Sequence, residues 1–97
     1  MVTEKVFETR IKKFLTAEEC WFLKIWGGGF QKSGIPDLLI CCNGYFVAVE
    51  IKSDKGVASD LQEYHIAEIK AAGGVGLILY PKDFEKFKTL IHELKER

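Results

Sequence analysis

The sequence carries no surplus of charge: fourteen Lys and Arg are offset by fourteen Asp and Glu. That excludes a strongly basic domain, the simplest electrostatic footprint of a nucleic-acid binder, although a local basic patch can coexist with a neutral total. No apolar run approaches the ~18 residues a transmembrane helix requires, so no membrane partner is expected. Met1 to Arg10 is charged and helix-like, without the apolar core or small-residue cleavage site of a signal peptide. There are three cysteines, Cys20, Cys41 and Cys42. Their number is odd, two are adjacent and no Cys-x-x-Cys spacing occurs, so neither a disulfide framework nor a zinc cluster is expected. Buried thiols in a reducing cytosol are the simpler reading. His65 and His92 lack spaced partners and read as surface or capped core residues. Repeats, linkers and low-complexity segments are also missing.

What remains is an ordinary globular balance, 47% hydrophobic and 29% charged, over 97 residues. That is one small domain spanning residues 1–97, with material for a single core, so any active site must be cut into that core's surface.

From Thr3 to Leu15 the apolar positions Val6, Phe7, Ile11, Phe14 and Leu15 recur at helical spacing, with Thr3 as N-cap. Cys20 to Trp26, aromatic and aliphatic apart from Lys24, predicts a strand that Gly27-Gly28-Gly29 breaks. Two strands follow, Asp37 to Cys42 and Tyr45 to Lys52, joined by Asn43-Gly44, a strong hairpin signal. Ser59 to Ala72 predicts a second helix, with Ser59 and Gln62 forming a capping box and Gly73-Gly74 ending it. A buried strand, Val75 to Tyr80, precedes a last helix from about Asp83 to Lys95 with Phe84, Phe87, Ile91 and Leu94 on one stripe. The order is helix, three strands, helix, strand, helix. A meander of three strands with the fourth returning after a crossover gives an α/β mixed sheet flanked by helices.

Counting outward from Asn43-Gly44 pairs Cys42 with Tyr45, Cys41 with Phe46, Ile40 with Val47, Leu39 with Ala48, Leu38 with Val49 and Asp37 with Glu50. Two carboxylates then face each other with Cβ atoms roughly 4.5–5.5 Å apart, a destabilising arrangement unless something offsets it. Lys52, two residues beyond Glu50, points to the same face. Lys52 could neutralise one carboxylate in a structural salt-bridge cluster. Alternatively, Asp37 and Glu50 could share a hard divalent cation such as Mg²⁺, with Lys52 orienting a water beside it. The spacing leaves both open.

Gly34-Ile35-Pro36-Asp37, then Glu50-Ile51-Lys52, then Gln62 resembles the G-x-P-D … E-x-K … Q pattern of the VRR-NUC nucleases, within the PD-(D/E)-x-K superfamily of restriction endonucleases and junction resolvases. The resemblance spans nearly the whole chain. It implies a restriction-endonuclease-like αβββαβ core plus a C-terminal helix, and a Mg²⁺- or Mn²⁺-dependent DNA endonuclease. Asp37, Glu50 and the backbone carbonyl of Ile51 would hold the metal. Lys52 would position the attacking water, and Gln62 would brace the site or touch the scissile phosphate. A first-helix Glu near the metal would be Glu8 or Glu4; Glu8, nearer the sheet-facing Ile11 and Leu15, is preferred. Stand-alone members resemble Holliday-junction resolvases, which implies branched DNA as partner and a homodimer whose two sites are related by a two-fold axis. Phe30, Trp21 or the last helix could form its interface. A cytoplasmic protein, bacterial or phage-encoded in an infected cell, is expected. Flap or duplex nicking, and a non-catalytic DNA-binding module, are the alternatives.

Gly27 to Ser33 superficially resembles a phosphate-binding loop, but Gln31 stands before Lys32 where a Gly is needed, and a strand follows instead of a helix. In a nuclease, Gln31, Lys32 and Ser33 would sit at the tip of a DNA-contacting flap; a solvated connector is the bland reading. Lys12 and Lys55, with Lys5, Arg10, Lys13, Lys24 and Lys32, each read singly as solvated surface, but together they could form a backbone-tracking patch that the neutral total hides. Trp26 at the loop edge could stack on a base or pack in a core or dimer.

Overall fold

The computed structural model describes residues 2–26 and 34–97. Gln31, Lys32, Ser33 and Phe30, singled out above, lie outside the described residues. The elements follow the expected order: α1 (Glu4–Ala17), β1 (Trp21–Lys24), β2 (Leu38–Cys42), β3 (Tyr45–Ile51), α2 (Asp60–Ala71), β4 (Val75–Leu79) and, after a 3₁₀ turn at Pro81–Asp83, α3 (Phe84–Glu96). One mixed sheet runs β1-β2-β3-β4. Its first two pairings are antiparallel, and β3 and β4 are parallel, connected through α2.

The Asn43-Gly44 turn sets the register as expected. Asn43 and Gly44 both take positive φ, 51° and 83°, and the pairing runs from Cys42 opposite Tyr45 to Leu38 opposite Val49. Asn43 does a second job: its Nδ2 donates to the carbonyls of Leu94 and Arg97, each at 2.9 Å, tying the hairpin tip to the end of α3. Thr3 caps α1 by accepting from the Val6 amide at 3.1 Å.

Strand alternation then sorts the side chains. Leu38, Ile40, Cys42, Val47, Val49 and Ile51 enter the main core with Phe7, Ile11 and Leu15 of α1 and Phe87, Ile91 and Leu94 of α3. Val6, assigned above to the apolar stripe, stays exposed. The stripe on α3 is spent inside the molecule, which removes it as an open dimer surface. The other face of the sheet is covered by α2, which comes down on the small residues of β3 and β4. A Cβ on Gly76 would approach the Ile66 carbonyl oxygen to 2.9 Å, so only glycine lets the helix lie this close.

Because α2 covers only the β3–β4 half, the other half of that face is open. Trp21 (61% exposed) and Leu23 of β1 stand there as exposed large apolar side chains, and Phe46 on β3, beside the C-terminal end of α2, is also exposed. Cys41 is exposed as well, so the expectation of three buried thiols is wrong for it; Cys42 is buried and Cys20 partly so. Burial, with the Cys42 thiol beside it, pushes Cys20 up to about 12.

Each strand is also shorter than expected, and two of the shortened ends bear on the site. β1 ends at Lys24, opposite Leu38, the first residue of β2, and only one further bond, Ile25 N–H to the Asp37 carbonyl at 2.8 Å, continues the pairing. Trp26 therefore lies beyond the strand, and strand alternation does not set its direction. Asp37 likewise falls just outside the β2 ladder, for a reason that belongs to the site.

Candidate active site

Asp37 sits where the ladder ends, held from both sides. Its carbonyl accepts from Ile25, while its Oδ2 accepts from the Ile51 amide at 2.8 Å. The side chain thus takes the bond that the Pro36 carbonyl would otherwise accept from β3, and Pro36, with no N–H to give Ile51, cannot continue the ladder beyond Leu38. Continuing the antiparallel alternation, Asp37 and Glu50 occupy a non-hydrogen-bonded pair, the position at which facing side chains come closest. N–H and C=O of one strand residue project to the same side, so the Ile51 carbonyl also faces the Asp37 side, while the Lys52 amide turns to Leu79 on β4.

Glu50 is only 3% exposed and is the sole buried charged residue among the described residues. Its Oε2 accepts from Gln62 Nε2 at 3.0 Å and lies 3.6 Å from Lys52 Nζ. Its Oε1 is buried with no hydrogen-bond partner. Left ionised and unpartnered, that oxygen would cost roughly 1–3 kcal/mol or more; a proton shared with Asp37 or a bound cation would each remove the cost. Burial, reinforced by the Asp37 carboxylate beside it, pushes Glu50 up to about 8, against the opposing pull of Lys52.

Gln62 serves two purposes through one capping box. Ser59 Oγ accepts from the Gln62 amide at 3.2 Å, and Gln62 Oε1 accepts from the Ser59 amide at 2.8 Å. With Oε1 committed to the cap, Nε2 has to face outward, and it faces Glu50. The first turn of α2 is itself set by Gly34, whose φ is +79° and on which a Cβ would come within 2.8 Å of Leu61 Cγ and 2.9 Å of the Leu61 backbone. Backbone cannot yield there as a flexible side chain could. Gly34→Ala is therefore expected to destabilise the fold by about 1–3 kcal/mol, from the left-handed backbone and the clash. It should also push Gln62 off Glu50, which a thermal melt and the amide chemical shifts of 59–63 would register together.

Glu8 does not join the two carboxylates. Its Oε1 accepts from Lys24 Nζ and its Oε2 lies 3.1 Å from Lys12 Nζ. Burial alone raises it, but Lys24 and Lys12 outweigh that and hold its carboxyl below the usual range. The link to the site is Lys24, whose Nζ also stands 3.9 Å from Asp37 Oδ1. Charges thus alternate in sign along one end of the sheet, through Lys12, Glu8, Lys24 and Asp37, then Glu50 and Lys52. Glu4 is exposed in the first turn of α1. Lys12 is tied to Glu8, whereas Lys55 is exposed in the segment after β3. Lys24 is the site residue whose role the sequence reading did not specify: within a strand it registers only as a polar break among apolar neighbours. His92 pairs with Glu18 at 3.1 Å on the far side of the molecule and has no place in this constellation.

Among the described residues no three of His, Cys, Asp and Glu converge as a metal cluster. Two carboxylates, one with an unpartnered oxygen, nonetheless fit Mg²⁺ or Mn²⁺, which take one or two protein carboxylates and fill their remaining positions with water and phosphate oxygens. They do not suit zinc, whose structural sites are closed by four nitrogen or sulfur donors. Among the described residues no helix is long and apolar enough to cross a membrane. Comparison of the chain with protein-family models, with curated proteins and with solved structures finds no match in any of the three.

Proposed function

We propose that this chain is a Mg²⁺- or Mn²⁺-dependent DNA endonuclease of the restriction-endonuclease-like type that hydrolyses phosphodiester bonds, with branched DNA such as a four-way junction as substrate. The observation that carries this is the buried, unpartnered Oε1 of Glu50 beside Asp37. Asp37, Glu50 and the Ile51 carbonyl would hold the ion, which when bound polarises a phosphate oxygen and lowers the pKa of water. Lys52 places an ammonium 3.6 Å from Glu50 Oε2, where it orients the attacking water and offsets charge developing on the phosphate. Gln62 keeps Glu50 aimed. None of these groups forms a bond to phosphorus. So small a domain offers little surface for reading bases, which favours recognition of DNA shape. Symmetric cutting of a junction needs two sites, and the exposed strip of Trp21, Leu23 and Phe46 is the apolar surface on which a second copy would pair.

A second reading has an observation of its own: Lys24 and Lys52 each stand against a carboxylate, as in a salt-bridged hairpin end of a non-catalytic binding module. A labelled four-way junction and its linear duplex, each with Mg²⁺, Mn²⁺ or EDTA, separate the two. Symmetric cuts in the junction, lost with EDTA and with Glu50→Ala, are expected. Cleavage of duplex or flap instead would move the specificity while keeping the chemistry. No cleavage in any metal would favour the binding module.

A further inference from the structure

Next to the charged row lies a groove of about 380 Å³ lined by Glu4, Lys5, Glu8, Lys24 and Trp26. Its floor and wall differ in kind from the site. Trp26 is 72% exposed, the most exposed aromatic side chain among the described residues, although tryptophan is a residue proteins ordinarily cover. Lys24 Nζ lies 5.6 Å from the centre of its ring and also 3.9 Å from Asp37 Oδ1. One ammonium therefore stands beside both the indole and the Asp37 carboxylate, which puts the ring within a nucleotide or two of a phosphate held at Asp37. Of the two carboxylates lining the groove, Glu8 is met by Lys12 and Lys24, and exposed Glu4 stands beside Lys5 in sequence, so the lining carries no net negative charge.

We infer that Trp26 is a stacking platform for an unpaired nucleobase of the strand whose phosphate enters the Asp37–Glu50 site. This rests on the nuclease reading and narrows its substrate class. A base inside a duplex has both faces taken by its neighbours, so an exposed indole can stack only on a base at an end, branch, bulge or single strand. Lys5 supplies a cation for the backbone beside it, while Lys24 is held by Glu8 and Asp37. The substrate is thereby a DNA with an unpaired nucleotide next to the cut.

The chain has two tryptophans, so Trp21→Phe leaves Trp26 as the single indole and its fluorescence as a direct reporter. Titration in EDTA with a twelve-nucleotide oligothymidylate is expected to quench that fluorescence, and a blunt duplex of the same length to quench it far less. Trp26→Ala should weaken oligothymidylate binding by about 5- to 100-fold, and Trp26→Phe should restore most of it. Parental affinity in Trp26→Ala, with metal-dependent cleavage intact and still abolished by Glu50→Gln, overturns the stacking role and leaves the nuclease standing. Quenching with no cleavage in any metal supports the stacking and overturns the nuclease.

Discussion

Lys52→Ala is expected to bind junction DNA within about threefold of the parent chain while cutting it at least about 100-fold more slowly. Its side chain is 12% exposed and its Nζ faces Glu50. The ammonium is therefore held at the carboxylate pair and is not part of a broad phosphate-binding surface, so its loss should fall on rate more than on affinity. Lys52 also draws the Glu50 pKa down. The alanine variant should consequently keep Glu50 protonated to still higher pH and shift the pH–rate profile of any residual activity upward. Because a neutral Glu50 remains compatible with the fold, the melting temperature should change little. Cutting at the parental rate would exclude Lys52 from the chemistry and leave a salt-bridged hairpin end.

Glu50→Gln, in EDTA, is expected to be more stable than the parent above pH 8. The sign follows from Glu50 alone. Its folded value, about 8, lies above the ordinary carboxylate value of 4.5. Between those two values the folded chain binds more protons than the unfolded one. The favourable contribution is complete below the unfolded value and disappears as pH rises through the folded one. The parent should thus lose a few kcal/mol between about pH 5 and pH 9, order 10 °C in melting temperature for a domain of this size. Glutamine is uncharged throughout and has an NH₂ group to offer Asp37 as the protonated acid would, so that component of the pH dependence should vanish. Parallel melting curves for parent and variant across this range would show that burial and the Asp37 charge are not acting on Glu50 as the structure implies. On the proposed reading, a divalent cation bound at Asp37 and Glu50 would offset this loss in the parent above pH 8.

Much of this frame could be read from residue order. Asn43-Gly44 needed only local backbone preference to set the hairpin register, and that register places Asp37 against Glu50. Ser59 and Gln62 announced the start of α2, and the same capping box turned out to aim the Gln62 amide at the site. What escaped was fixed by contacts between distant elements. Asp37 leaves its ladder because Pro36 before it has no N–H to pair, which the sequence shows, and because its own side chain captures the Ile51 amide, which no propensity encodes. Glu8 is diverted by Lys24, from a strand sixteen residues away, and by Lys12 on its own helix. Cys41 and Trp21 are left open because α2 covers only half of its face, and how far a helix extends over a sheet is not a property of either segment alone.

The most direct test is calorimetric titration of Mn²⁺ into the parent chain and Glu50→Gln near pH 7, in two buffers of different ionisation enthalpy. The parent should bind Mn²⁺ and release a proton as it does so, because Glu50, pushed up to about 8, must ionise to become a ligand. The variant should show no saturable binding. Mn²⁺ uptake by both proteins alike without proton release, or no uptake by the parent at millimolar metal, would contradict a cation site at Asp37 and Glu50 and with it the nuclease.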